Sequence, residues 1–232
     1  MVGIIFVLHG RKNKLSSANV SVVEKAAEHL QNPYELGLLE GMQQTLEEAI
    51  QSLLNQQVTE IVFLPVLLFP ATHAKEDLPE RAEKAIEKQV PYHILPTLGT
   101  TDAVEDFLVQ QIHSVEDSRA EVLLVAHGTP RSPEPFQQLE QIAKKVERKV
   151  KRRVYPSNYY GDHSYQSVLK RHSEPMIIQR LFLTEEYLSK KIKNEIREQR
   201  EVRDVLLPTM QDSEALVSAI IERIEEIPCI QF

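Results

Sequence analysis

Three side chains able to handle a metal ion stand at comparable stations along the chain. His9 closes the apolar run Gly3-Ile-Ile-Phe-Val-Leu8, Glu40 follows Tyr34 to Leu39, and His73 lies a few residues beyond Glu60 to Leu68; the successive spacings are 31 and 33 residues. Two imidazoles and a carboxylate suit Fe2+, Co2+, Ni2+ or Zn2+ without selecting sharply among them. No thiolate accompanies them, since the single Cys229 is near the far end of the sequence. An open set of two or three such ligands can let its ion go again, and neutral imidazole also accepts protons near neutral pH. Other chemistries lack their residues. The seven glycines form neither G-x-G-x-x-G nor a P-loop, and no serine is flanked as an α/β-hydrolase nucleophile requires.

The elements that must position these groups alternate strictly. Short β-rich runs are predicted at Ile4 to Leu8, Tyr34 to Leu39, Glu60 to Leu68 and Tyr92 to Leu95. Helices with apolar residues three and four apart are predicted at Val20 to Leu30, Gln43 to Leu54, Leu78 to Lys88 and Asp102 to His113. The pattern then repeats, with strands at Val122 to Ala126, Val154 to Asn158, Met176 to Leu183 and Asp204 to Leu207. Its helices fall at Glu134 to Val150, Ser164 to His172, Glu185 to Gln199 and Ser213 to Ile224. Strands joined through helices run parallel, and unalternating runs such as Ile61 to Leu68 are covered on both faces. The fold class is therefore α/β, and in such sheets ligands collect at the carboxyl ends of the strands. His9, Glu40 and His73 share that rim.

The repeat is also legible in motifs. Gly3 to Gly10 recurs as Glu121 to Gly128, both ending in His-Gly, and Leu95-Pro96-Thr97 recurs as Leu207-Pro208-Thr209. Two domains are expected, residues 1–115 with the site and residues 120–232 with a degenerate copy, each a four-stranded parallel sheet flanked by helices. In the copy Tyr187 falls opposite His73, and the counterpart of Glu40 falls at Tyr159 or Tyr160.

A net charge of −7 argues against nucleic acid as a partner, which needs a basic surface. The exception is Lys144 to Arg153, a basic helix end whose cations suit the helix dipole. The lone cysteine and the absence of a basic leader before Ile4 predict a cytoplasmic protein, and no apolar run reaches the ~20 residues that span a bilayer.

His9-Gly10 ending the first strand, together with Pro65-Val-Leu-Leu-Phe-Pro-Ala-Thr-His73-Ala-Lys-Glu-Asp77-Leu-Pro79, resembles the sirohydrochlorin chelatases. These are class II chelatases that insert Fe2+ or Co2+ into sirohydrochlorin, and their longer members carry tandem halves facing across a cleft. The resemblance implies that His9 and His73 bind the metal and accept pyrrole protons, with Glu40 as the matching second-strand glutamate. It implies a tetrapyrrole and a divalent metal as the partners, Fe2+ rather than Co2+ for want of a cobalt-specific cue, and no permanently bound cofactor. Cobalt insertion, or non-catalytic binding of metal or tetrapyrrole, are the alternatives. Sirohydrochlorin carries eight carboxylates, and Arg11, Lys12, Lys75 and Arg131 are the cations expected to receive them. The family usually continues His-Gly-Ser-Arg, whereas this chain reads His9-Gly10-Arg11-Lys12. Because the halves can supply both cleft walls, a monomer with an internal pseudo-dimer is expected. Asp77-Leu-Pro-Glu80 reads as a helix start with a capping box rather than a ligand.

Overall fold

The computed structural model describes residues 1–10, 17–70, 75–116, 119–211, 213–228 and 230. Its first sheet contains β1 (Val2–Leu8), β2 (Tyr34–Leu38), β3 (Glu60–Pro65) and β4 (Tyr92–Ile94) in the order β2-β1-β3-β4. The second contains β5 (Val122–Ala126), β6 (Val154–Asn158), β7 (Ile177–Arg180) and β8 (Val205–Leu207) in the order β6-β5-β7-β8. Every strand pairing is parallel, so the α/β class and the two four-stranded sheets are as the alternation predicts. The helices are α1 (Ser17–Ala26), α2 (Leu46–Asn55), α3 (Asp77–Ile86), α4 (Asp102–His113), α5 (Glu134–Val150), α6 (Tyr165–Leu169), α7 (Tyr187–Gln199) and α8 (Glu214–Glu225).

The central strands are buried on both faces. Ile4, Ile5, Phe6 and Val7 of β1 have no exposed surface, and neither do Leu123, Leu124 and Val125 of β5. Each such side chain contributes roughly 1.5–3 kcal/mol of hydrophobic stabilisation. One face of the first sheet packs Ile5, Val7, Ile61 and Phe63 against Leu46, Ile50 and Leu53 of α2 and Leu78, Ala82 and Ile86 of α3. Helix α2 starts at a complete capping box: Thr45 accepts from the Glu48 backbone N–H, and the Glu48 carboxylate accepts from that of Thr45. Strand β3 is shorter than the apolar run suggests and ends on Pro65, which has no N–H to give a neighbour. Pro156 is accommodated inside β6 because that strand lies at the sheet edge, paired only with β5.

By packing, the chain divides into one unit of Met1–Thr101 with Leu216–Phe232 and a second of Asp102–Ala215. The sequence repeat ends near residue 115, so the packing boundary differs from the expected 1–115 and 120–232. The reason is an exchange of terminal helices. Glu105 of α4, buried, binds Lys145 and Lys149 of α5 at 3.2 and 2.9 Å, which ties α4 to the second unit. Arg223 of α8, also buried, donates to the Thr97 carbonyl from Nε at 3.2 Å and from Nη2 at 2.8 Å, tying α8 to the first. No helix among the described residues is long and apolar enough to cross a membrane.

Candidate functional site

In a 2-1-3-4 order the connection direction reverses between β1 and β3, and that switch point is where α/β sheets open a crevice. His9 follows β1 there. Parallel pairing continues past the strand ends: Leu39 N–H donates to Leu8 O and Glu40 N–H to His9 O, both at 2.9 Å. This ladder sets Glu40 beside His9. Gly10 makes the next step possible, with φ of +73°, and a Cβ there would lie 2.0 Å from the Glu40 carbonyl oxygen.

The two side chains are about half exposed, 47% for His9 and 48% for Glu40. Their closest atoms, His9 Nδ1 and Glu40 Oε2, are 3.9 Å apart, too far for a hydrogen bond. His9 Nδ1 instead lies 2.9 Å from the Gly10 carbonyl oxygen. A carbonyl only accepts, so this contact is a hydrogen bond when Nδ1 carries a proton, and in the neutral ring that assigns the lone pair to Nε2. A neutral imidazole beside a carboxylate is chemically able to ligate a cation or take up a proton, with the carboxylate offsetting the charge gained.

Of the other residues expected at the site, His73, Arg11 and Lys12 lie outside the described residues. Lys75 is exposed, two positions before α3. No group of three or more His, Cys, Asp or Glu side chains able to hold a metal occurs among the described residues. Asp77 is the first residue of α3 with Pro79 in its first turn, but the N-cap residue is Glu76 and makes no side-chain cap hydrogen bond, so the expected box of Asp77 with Glu80 is not formed. Glu40 has no capping duty either, because Thr45 and Glu48 satisfy the start of α2.

Sequence reasoning missed Arg81. From α3 its Nε and Nη2 donate to the two oxygens of Glu47, each at 2.6 Å, while Nη1 donates to the Leu39 carbonyl at 2.7 Å. The hydrogen bonds to Arg81 hold the Glu47 carboxyl below the usual carboxylate range, and the bond to Glu47 raises Arg81 in turn. No local signal could have found this link, because 34 and 42 residues separate the partners.

The second unit repeats the rim with altered chemistry. Tyr160 N–H donates to His127 O at 2.9 Å, so Tyr160, not Tyr159, occupies the Glu40 position. His127 Nδ1 lies 2.8 Å from the Gly128 carbonyl oxygen, the same contact as in His9. Its neighbour is now an aromatic ring, with centroids 5.1 Å apart. Tyr187 opens α7 as Asp77 opens α3, while His73, its expected counterpart, lies outside the described residues. Arg131 is exposed just beyond the His127-Gly128 turn, its N–H donating to Thr129 Oγ1 at 3.2 Å. Three of the seven cations at the basic end of α5 are held in ion pairs, Lys145 and Lys149 on Glu105 and Arg153 on Glu147 at 3.0 Å.

Fold and rim together define a tandem α/β protein of the chelatase type, with an imidazole and a carboxylate presented at the switch point of its first sheet. The CbiX family model matches residues 3–115. A sirohydrochlorin cobaltochelatase of Saccharolobus islandicus is 30% identical over 122 residues, covering 49% of this chain and 94% of that protein. A sirohydrochlorin ferrochelatase of Priestia megaterium is 30% identical over 150 residues, which is 62% of this chain and 56% of that protein. The chain therefore spans little more than half the length of that relative. SirB from Bacillus subtilis, solved with Fe3+, superposes with a TM-score of 0.84 at 21% identity, over 97% of this chain and 94% of that one. This chain belongs to the sirohydrochlorin chelatase family.

Proposed function

We propose that the protein inserts a divalent metal, Fe2+ by preference, into sirohydrochlorin to give sirohaem. The observation that carries the reading is the pair at the first switch point: His9, with its lone pair on Nε2, and Glu40, 3.9 Å from the same ring. The reaction exchanges one M2+ for two pyrrole protons, so a site for it must release an ion and accept protons. His9 and His73 hold the metal and take the protons in turn; Glu40 offsets the ion's charge and relays the protons onward. Arg11, Lys12, Lys75 and Arg131 receive the carboxylates of the ring through charge-assisted hydrogen bonds. The chain acts as a monomer in the cytoplasm, needs no bound cofactor, and uses neither nucleic acid nor membrane.

Cobalt is the second reading, supported by the Saccharolobus relative named as a cobaltochelatase. Imidazole and carboxylate ligands do not discriminate the two ions. The test is anaerobic incubation of sirohydrochlorin with Fe2+ or Co2+ at sub-stoichiometric protein, followed by absorbance. Many turnovers are expected, faster with Fe2+; a plateau at one equivalent would make the protein a carrier. His9→Ala, Glu40→Ala and His73→Ala should each lower turnover by about a hundredfold or more, the range of general acid–base effects. His127→Ala should leave it unchanged, and unimpaired turnover in the first three would refute the site.

A further inference from the structure

Glu40 sits on a connection that its own helix does not anchor. Residues 39–45 join β2 to α2, and the capping box at Thr45 fixes only the far end of that stretch. At the near end the Leu39–Glu40 peptide is held from one side by the bond from its Glu40 N–H to His9 O, and its carbonyl, on the opposite side of the same plane, takes a second partner. That partner is Arg81 Nη1, at 2.7 Å from Leu39 O.

The guanidinium is itself aimed by two further bonds, both 2.6 Å long, to the Glu47 carboxylate on α2. A planar fork held at two nitrogens presents its third in a fixed direction, which an ammonium on a flexible stem cannot do. The side chain of Arg81 is 26% exposed, so the fork is shielded enough to keep its geometry. Three pieces of the first unit meet in this residue: the peptide preceding Glu40, the first turn of α2, and α3, which follows the chain segment bearing His73.

The second unit shows what becomes of the arrangement when the carboxylate is gone. Tyr159 replaces Leu39 and Tyr160 replaces Glu40, and the helix contact to this connection is made by Lys191 of α7, its Nζ 5.5 Å from the Tyr159 ring centre. The helix still reaches the loop, but a lysine over a ring replaces the fork on a carbonyl. The fork is found in the unit that carries Glu40.

We propose that Arg81 is a positioning residue for Glu40: it pins the peptide that precedes Glu40 and so keeps that carboxylate beside His9, a role that rests on the chelatase reading above. Its effect passes through Glu40, and the two residues are therefore coupled.

The test is a double-mutant cycle on the full chain, with Co2+ as probe. Arg81→Lys should weaken Co2+ binding, followed by titration, and lower the insertion rate at subsaturating Co2+, each about tenfold, with the KM for sirohydrochlorin unchanged. In a Glu40→Ala background the same substitution should change neither by more than twofold. Glu47→Gln, which keeps Arg81 but loosens its aim, should give a smaller loss of the same kind. Equal losses with and without Glu40, or no loss in the wild-type background, overturn the proposal. Co2+ binding that follows the cycle without any turnover would instead remove the chelatase reading and leave the coupling standing.

Discussion

Replacing Gly10 with alanine should break the rim at a calculable point. Its φ of +73° is disfavoured for a residue with a side chain by about 1–2 kcal/mol. The added Cβ would also stand 2.0 Å from the Glu40 carbonyl oxygen, a backbone atom that cannot swing aside. Relief needs a shift of about an ångström in one of the two segments, which breaks the bond from Glu40 N–H to His9 O, worth about 1 kcal/mol net. The total destabilisation is on the order of 2–4 kcal/mol. Gly128, with φ of +70° and a hypothetical Cβ 2.3 Å from Tyr160 O, is the built-in control. Gly128→Ala should cost similar stability in urea unfolding, yet leave the insertion rate within about twofold, measured well below the unfolding transition. Gly10→Ala, displacing His9 from Glu40, should lose about a hundredfold, as ångström-scale misplacement does. A Gly10→Ala protein as stable as wild type would refute the conformational argument. Equal rate losses from both variants would refute the assignment of the site to the first unit.

Two further outcomes concern stability. Thr45→Ala removes the side chain that caps α2 and should cost about 1 kcal/mol, read as a lowered urea midpoint without change in slope. Burial pushes the Glu105 carboxyl up, but hydrogen bonds and charge from Lys149 and Lys145 outweigh this and leave it lowered. A carboxyl lowered in the folded state stabilises above its unfolded value, and that contribution is lost as pH falls through the folded value. Acid titration of stability should therefore show a loss below the ordinary carboxylate range that is smaller in Glu105→Gln; an identical acid limb in the variant would contradict the pairing.

Local periodicity made most of the fold legible. Helices α4 and α5 and strands β5 and β6 run between the residues their patterns predict, because spacing of apolar residues and chain breaks decide such boundaries locally. The adjacency of His9 and Glu40 was legible too, from the rule that parallel strands gather their carboxyl ends. Other features depend on distances that sequence does not carry. An amphipathic face says that α4 and α8 are buried but not against which sheet, so the exchange of helices was invisible. Arg81 carries no local signal at all, since its three acceptors come from residues brought near by folding alone.

The exchanged terminal helices also govern the order in which the protein is made. The second unit is one uninterrupted stretch, Asp102–Ala215, and all of it has left the ribosome before Leu216–Phe232. The first unit emerges earlier but is completed last, when α8 arrives and Arg223 reaches the Thr97 carbonyl. The half that bears His9 and Glu40 therefore closes its packing across the whole sequence of its sibling, a long-range step that the continuous second unit does not share.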